Sequence, residues 1–288
     1  MKKFKHILTR VRDLAAEDGP QLNELLWELI LYSPKIPVRP HQQQVLDEAE
    51  KFTLKIPDEY LTHTELTVNG FKWGTGKTKI LLTHGWASKA ADFSELITAL
   101  RKLNDVTLYA FDVPGNGSSE AELSHLLLYI NAVKATMQAF GQSDILIGHS
   151  LGCMANVAAL QQAGNSSCSL MISLAPLIRL EENFVASMDA VQVSSAAKNA
   201  FMEHFKAFFK RPASDLNLDK VYVTDDRLKH WLAYDEEDTI APHAYLEEFL
   251  QAHPSITAVP FNHTGHDKLL RDPAVIAHAL HQIRSLTV

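Results

Sequence analysis

The stretch that decides the fold is "DILIGHSLGCMANVAALQQAG", from Asp144 to Gly164. An apolar run leads directly into its centre, and a run with helical apolar periodicity leads directly out of it. The centre has the pattern Gly-x-Ser-x-Gly, formed by Gly148, His149, Ser150, Leu151 and Gly152. A turn this tight between a strand and a helix presents its serine at the carboxyl edge of a sheet, next to a helix N-terminus that favours negative charge. Ser150 is therefore predicted to be a nucleophile.

Similar alternation extends from about residue 60 to the end of the sequence. Strand candidates are "KILLTH", "VTLYAFD", "DILIGH", "LMISLA", "WLAYD" and "ITAVPF", and helical patterns separate most of them. Buried apolar strands that alternate with helices are typical of a mostly parallel sheet with helices on both faces. We therefore predict an α/β fold, with a core made of residues 59–180 and 221–288.

Two segments fall outside this core. Residues 1–58 are predicted to be an N-terminal helical extension, because residues 21–32 place their leucines on one helical face before three prolines. Residues 181–220 are predicted to be a cap insertion, because the interval is too long for a simple crossover. The insertion contains four phenylalanines at helical spacing, Phe201, Phe205, Phe208 and Phe209. These rings either bury the insertion or also line a substrate pocket.

A serine nucleophile needs a base, and the base needs an orienting acid. On an elbow of this kind the chain order is serine, acid, histidine. The segment "WLAYDEEDTIAP" supplies acids at a strand end, namely Asp235, Glu236, Glu237 and Asp238. The segment "AVPFNHTGHDKLL" supplies His263 and His266 after the last strand. The order alone leaves the choice within each group open.

Together, these motifs resemble the α/β-hydrolase-fold serine hydrolases from about residue 60 onward. A bacterial, esterase-like group with a small cap is the most similar within that family. The family often has a Gly-x-x-Asp segment with a proline four residues after the acid, which implies Asp238 with Pro242 and leaves Asp235 as the fallback. The family's final Gly-His, followed by an apolar pair and Asp-Pro, implies His266 rather than His263.

The same resemblance implies an oxyanion hole. Members of the family carry His-Gly after the third strand, matched here by "HG" at residues 84–85. The implied donors are the backbone N–H groups of Trp86 and Leu151, which would stabilise the charge that develops on the carbonyl oxygen. The turn "FDVPGNGSS" also fits, although Asn116 stands where the family commonly has histidine or a basic residue.

We expect these residues to cleave a carboxylic ester, or a related acyl bond, of a small-molecule acyl substrate through an acyl-enzyme. A thioesterase, an amidase or a C–C hydrolase would use the same triad. A different alternative is a non-catalytic hydrolase-fold protein that binds a small molecule. We expect no cofactor and no metal, because neither an H-E-x-x-H motif nor a Cys/His ligand pair occurs. A homodimer is possible but is not readable from the sequence.

Composition narrows the class of partner. The 288 residues carry a net charge of −7, so no basic excess exists for binding a nucleic-acid backbone. No uninterrupted apolar stretch is long enough to predict an integral membrane segment. The two cysteines, Cys153 and Cys168, give neither a disulfide framework nor metal-ligand spacing. A cytoplasmic protein with reduced thiols is the prediction.

One further segment, "WGTGKTKILLTHGW" at residues 73–86, resembles a phosphate-binding loop. The resemblance fails because Phe71 occupies the required first glycine position, and because a strand rather than a helix follows. The "GTGKT" part is predicted to be a turn between neighbouring antiparallel strands, with Lys77 facing water. Just before it, Asn69-Gly70 is the dipeptide most typical of a two-residue hairpin turn.

Overall fold

Eight strands form one sheet in the computed structural model, which describes residues 2–15, 19–164, 167–223 and 227–286. The strands are β1 (Glu50–Asp58), β2 (Thr64–Trp73), β3 (Thr78–Thr83), β4 (Val106–Asp112), β5 (Ile145–His149), β6 (Leu170–Leu174), β7 (Lys229–Tyr234) and β8 (Thr257–Pro260). Their spatial order is β1-β2-β4-β3-β5-β6-β7-β8. Strands β3 to β8 are parallel, whereas β1 and β2 add an antiparallel edge. The predicted α/β class is confirmed.

Helices surround this sheet and also precede it. They are α1 (Lys2–Leu14), α2 (Pro20–Leu31), α3 (Pro40–Asp47), α4 (Ser94–Leu100), α5 (Leu126–Phe140), α6 (Leu151–Ala163), α7 (Leu180–Asp189), α8 (Ser195–Phe209), α9 (Leu218–Val221), α10 (His243–Ala252), α11 (Gly265–Lys268) and α12 (Pro273–Arg284). None of these helices is long and apolar enough to cross a membrane.

The sheet is buried on both faces because its parallel strands are apolar throughout. In β3, Leu81 points into the core that α5, α6 and α10 cover. Its neighbours Ile80 and Leu82 point into the core that α4 and α12 cover. Alternate side chains of a strand face opposite sides, so a continuous apolar run gives two cores.

A third apolar core joins the start of the chain to the insertion between β6 and β7. Helices α1 and α2 pack there against α7 and α8. Trp27 of α2 is central to this contact, since its ring lies 5.2 Å from Phe201 and 5.1 Å from Phe208. Helices α1 and α2 therefore pack on the insertion.

The helical part of the predicted extension is shorter than expected. Residues 1–58 are predicted to be a helical extension, but Glu50–Asp58 form β1. This strand pairs with β2 from Thr64 to Lys72. Alternating exposed and buried residues at the end of this segment fit a strand at the edge of a sheet. The division into an extension, a core and a cap at 181–220 stays a prediction.

The hairpin turn predicted at Asn69-Gly70 is wrong, because both residues lie inside β2. Gly70 pairs with Phe52 of β1, and the Phe52 ring lies directly over it. A Cβ atom at this position would lie 2.1 Å from Cζ of Phe52. The glycine is therefore explained by a close side-chain approach rather than by a turn.

The "GTGKT" segment is predicted to join neighbouring strands, and this prediction is also wrong. This segment leads from β2 to β3, but β4 lies between those two strands in the sheet. The loop crosses the start of β4, where the Gly76 N–H donates to the Val106 carbonyl at 3.2 Å and the Thr78 N–H to the Asp105 carbonyl at 2.9 Å. Lys77 is exposed, as predicted.

Candidate active site

The centre of the site is the elbow between β5 and α6, with Ser150 at its tip. Ser150 has φ 51° and ψ −119°, a backbone conformation that L-residues rarely adopt and that costs roughly 1–3 kcal/mol. Flanking side chains would not fit: a Cβ at Gly152 would lie 2.2 Å from the Thr83 carbonyl oxygen, and one at Gly148 would lie 2.7 Å from Cα of Cys153. The two glycines therefore allow the tight turn that exposes the serine to the site.

A buried histidine–aspartate pair lies at the same edge of the sheet. His266 belongs to α11, and its Nδ1 lies 2.7 Å from Oδ2 of Asp238, in the loop after β7. Their side chains are only 8% and 3% exposed. Burial alone would raise the pKa of Asp238, but hydrogen bonds from His266 and from the N–H groups of Ala241 and Ile240 keep that pKa below its ordinary value. Asp238 is therefore a carboxylate that accepts the Nδ1 hydrogen of His266.

Ser150 and His266 line the same cavity. Among the hydrogen bonds of the described residues, none joins Oγ of Ser150 to the free Nε2 of His266. Catalytic hydrogen bonds are often long before a substrate binds, so this arrangement is compatible with proton transfer in the substrate complex.

His149, inside the elbow, connects the serine turn to the histidine loop. Its Nε2 lies 3.1 Å from the carbonyl oxygen of His266. Burial, followed by the neighbouring His266, lowers the pKa of His149 to about 3, so its ring is neutral at neutral pH. A carbonyl only accepts hydrogen bonds, so Nε2 carries the hydrogen and donates it. The sequence pattern predicts no role for His149 beyond its place in the motif.

The fallback acid, Asp235, contacts the backbone rather than His266. Its Oδ2 accepts hydrogen bonds from the N–H groups of Thr264 and Gly265, both at 2.7 Å. Burial alone would raise the pKa of Asp235, but hydrogen bonds from the N–H groups of Glu237, Gly265 and Thr264 keep that pKa below its ordinary value. Asp235 thus holds the loop that carries His266. The other candidate base, His263, lies at the surface with its side chain 84% exposed.

The two predicted oxyanion donors belong to residues that line the same cavity as Ser150. Leu151 is the first residue of α6, and Trp86 lies in the loop after β3. Gly85 packs so closely on the elbow that a Cβ there would lie 3.0 Å from Cβ of Ser150. Within the part of the chain that the structure describes, neither the Trp86 N–H nor the Leu151 N–H donates to a protein acceptor. Both groups are therefore available to a ligand.

Side-chain hydrogen bonds fix the loop after β3. His84 donates from Nδ1 to the Gly85 carbonyl at 2.7 Å and accepts at Nε2 from the Val113 N–H at 3.0 Å. Burial lowers the pKa of His84, which matches this neutral donor–acceptor pattern. The Tyr129 hydroxyl donates to the same Gly85 carbonyl at 2.9 Å. A carbonyl held by two donors orients the peptide that carries the Trp86 N–H.

A third support comes from the segment after α2. The Ser33 hydroxyl accepts from the Ala87 N–H at 3.1 Å and donates to Oδ1 of Asn116 at 2.5 Å. Ser33 and Asn116 are 2% and 1% exposed. Sequence reasoning missed this contact, and the one available signal was that Asn116 departs from the family pattern.

A cavity of about 470 Å³ opens onto these groups, within the size range of small-molecule sites. The core contributes Ser150, His266 and Trp86 to its wall, and the insertion contributes Phe205 and Phe209. Both phenylalanines also pack in the third apolar core. Phe205 and Phe209 therefore both bury the insertion and line the cavity.

A family model described as the alpha/beta hydrolase family matches residues 80–280, which is more than half of the chain. The chain belongs to this family. The match includes the elbow, the loop with Asp238 and the loop with His266. No curated protein matches the sequence.

Solved structures similar to this hydrolase have diverse activities. A malate-bound thermophilic esterase from Thermogutta terrifontis has a TM-score of 0.59 at 15% identity, covering 82% of this chain and 100% of that one. An esterase from Rhodococcus sp. ECU1013 has a TM-score of 0.59 at 17% identity, covering 81% and 99%. An epoxide hydrolase from Vigna radiata has a TM-score of 0.57 at 13% identity, covering 83% and 99%. At these identities the likeness shows the fold, which hosts more than one reaction.

One group of side chains in the described ranges brings potential metal ligands together. Ligand atoms of His149, His266 and Asp267 lie within 4.8 Å of one another. However, Nε2 of His149 donates to a carbonyl, and Nδ1 of His266 donates to Asp238. These contacts leave Nδ1 of His149 and Nε2 of His266, with the exposed Asp267, as the available ligand atoms. Exposed acidic groups are common without a bound ion, so we assign no metal to this hydrolase.

Proposed function

We propose that this hydrolase cleaves a carboxylic ester, or a related acyl bond, through a serine-bound acyl-enzyme. The observation that carries the proposal is the buried 2.7 Å pair of Asp238 and His266, because His266 lines the same cavity as Ser150 at its strained elbow. A serine, a histidine and a carboxylate in these relative positions are the parts of an activated nucleophile. Asp238 takes the role of the orienting acid, since Asp235 contacts the loop backbone instead.

In the proposed reaction, Oγ of Ser150 attacks the carbonyl carbon while Nε2 of His266 removes the hydroxyl proton. Asp238 holds the Nδ1 hydrogen, which fixes the tautomer and stabilises the imidazolium that forms. The carbonyl oxygen gains negative charge and accepts hydrogen bonds from the N–H groups of Trp86 and Leu151. His266 then protonates the leaving alcohol as the carbon–oxygen bond breaks. A water molecule, deprotonated by His266, hydrolyses the acyl-enzyme and releases the acid.

The substrate in this proposal is a small acyl compound, and no step of the mechanism uses a cofactor or a metal. The apolar lining of the cavity supports an uncharged acyl or alcohol group. We also propose a cytoplasmic location. Its support is that Cys153 and Cys168 are both buried, and that burial raises the pKa of each thiol to about 12, so neither is a reactive thiolate.

The same groups would cleave a thioester, an amide or a C–C bond, and a hydrolase fold can also bind a ligand without turning it over. A fluorophosphonate separates catalysis from binding, because it labels only an activated serine. We expect one label on the wild-type protein and on Ser285→Ala, a control at an exposed serine of the last turn. Ser150→Ala should take no label and should not hydrolyse p-nitrophenyl esters, while its circular dichroism and Tm stay those of the wild type.

Two results would contradict the proposal. Turnover retained by Ser150→Ala would remove the mechanism. A folded wild-type protein that takes no label would favour the ligand-binding alternative. Side-by-side assay of an ester, a thioester and an amide with the same acyl group then identifies the bond that is cleaved fastest.

A further inference from the structure

The cavity at Ser150 has a wall that the core and the insertion do not provide. Leu29, Ile30 and Leu31 of α2, with Phe4 and Leu8 of α1, line it. These helices are held against the insertion by the Trp27 ring, which contacts four phenylalanine rings of α8. The binding space of the hydrolase is therefore closed by two separate parts of the chain, the N-terminal helices and the insertion.

This wall is apolar. The part contributed by α1, α2 and the rings of α8 consists of leucine, isoleucine and phenylalanine side chains. A charged group placed against such a surface would lose its hydration without gaining a partner, which is strongly unfavourable. The space therefore suits an uncharged, extended hydrocarbon chain.

Polar side chains also line the cavity, among them Asn183 and Ser187 of α7 and His125. His125, immediately before α5, lines the cavity and is 5% exposed. Its Nε2 lies 3.3 Å from Oδ1 of Asp58, at the end of β1. The rings of Phe209 and Tyr60 flank the imidazole, with centroids at 5.2 and 6.0 Å. The pair is separate from Asp238 and His266, and the proposed ester hydrolysis does not use it.

Asp58 fixes one nitrogen of His125. The carboxylate also accepts hydrogen bonds from the N–H groups of Leu61 and Thr62, at 3.1 and 3.0 Å. Burial alone would raise the pKa of Asp58, but the hydrogen bonds from His125 and from the backbone lower it below its ordinary range. An ionised carboxylate only accepts, so Nε2 of His125 carries its hydrogen.

The second ring nitrogen of His125, Nδ1, does not contact Asp58. Nδ1 is buried and has no hydrogen-bond partner among the described residues. An unsatisfied buried polar group is destabilising, and a ligand group that bonds to it would remove that cost. Nδ1 accepts when the ring is neutral and donates when the ring is protonated. A hydroxyl group can do either, so it fits His125 in both states.

We propose that the cavity binds substrates whose apolar chain carries one hydroxyl group, and that this hydroxyl bonds to Nδ1 of His125. The inference rests on the proposed function only in placing the scissile bond at Ser150. Binding of the chain depends on the wall and on His125, so it can be measured without turnover.

The test uses Ser150→Ala, which cannot form an acyl-enzyme, and isothermal titration with 1-alkanols and the matching α,ω-diols of about six to twelve carbons. At the best chain length we expect the diol to bind about tenfold more tightly than the alkanol, the effect of one buried hydrogen bond. Adding His125→Leu should reverse the order, because the second hydroxyl then loses water without gaining a partner. His281→Leu, at an exposed histidine of α12, should leave the preference unchanged.

Three results would overturn the inference. These are alkanols that bind as tightly as diols at every length, alkanols that bind more tightly, and a diol preference that survives in His125→Leu. The first comparison needs no His125 variant to fold. A fluorophosphonate-labelled, ester-cleaving protein without diol preference would contradict only this inference. Diol preference in a protein that takes no label would contradict only the proposed catalysis.

Discussion

The Ser33 hydroxyl accepts a hydrogen bond from the backbone N–H of Ala87 at 3.1 Å. Ala87 has a positive φ of 54° and directly follows Trp86, whose N–H is a proposed oxyanion donor. The same hydroxyl donates to Oδ1 of Asn116, so its orientation is fixed. A residue that follows the N-terminal helices thus supports the loop on which transition-state stabilisation is proposed to depend.

Ser33→Ala should lower kcat for ester hydrolysis by about tenfold and leave KM nearly unchanged. Losing the hydrogen bond to the Ala87 N–H should cost roughly 1–1.5 kcal/mol. The cost should fall on the transition state, because the Trp86 N–H on this loop is needed when charge develops on the oxyanion. Steady-state kinetics with a p-nitrophenyl ester measures both constants. Ser33→Thr keeps the hydroxyl and should recover most of kcat. A rise in KM at constant kcat would instead assign Ser33 to substrate binding.

The two acids after β7 should respond differently to loss of charge. Asp238→Asn should lower kcat by about 10³- to 10⁴-fold, because the amide no longer fixes the required tautomer of His266. Asp235→Asn should lower kcat by only about tenfold but should lower Tm, because its carboxylate joins the histidine loop to β7 through Thr264 and Gly265. Kinetics and thermal unfolding of both variants test this. The reverse order of kcat losses would move the acid role to Asp235.

Much of this site follows from local patterns in the sequence. The elbow at Ser150 is encoded by two glycines between an apolar strand and an apolar helix, and the structure has that turn. The order of acid and histidine along the chain limits the candidates, and the family pattern favours Asp238 and His266. The structure places these two side chains in contact. Their catalytic roles remain a proposal.

Contacts between distant segments could not be predicted in the same way. Asn69-Gly70 has the local signal of a turn, but the Phe52 ring and the pairing with β1 hold it inside a strand. The residues that meet in Ser33–Ala87 and His125–Asp58 are 54 and 67 positions apart. No spacing rule connects positions so far apart in one sequence, because only the packed fold brings them together.

The buried neutral histidine His230 makes the free energy of unfolding depend on pH. His230 is 4% exposed, with Nε2 2.8 Å from the Ser173 hydroxyl and Nδ1 3.1 Å from the Tyr222 hydroxyl. Burial, followed by the neighbouring His253, lowers the pKa of His230 from 6.5 to about 3. Between these two pKa values the unfolded chain binds a proton that the folded chain excludes. The free energy of unfolding must therefore fall as the pH drops below about 6.5.

His230→Gln should remove this contribution. From pH 7 to pH 5 one such histidine lowers the free energy of unfolding by about 2 kcal/mol. The decrease in the free energy of unfolding over this interval should therefore be about 2 kcal/mol smaller in the variant than in the wild type. Urea unfolding at both pH values measures the difference. The carboxylates with lowered pKa values, Asp58 and Asp238, titrate below this window and do not obscure it. His281→Gln, at an exposed histidine, should lose as much as the wild type. An equal loss in His230→Gln would mean that His230 takes up its proton in the folded protein.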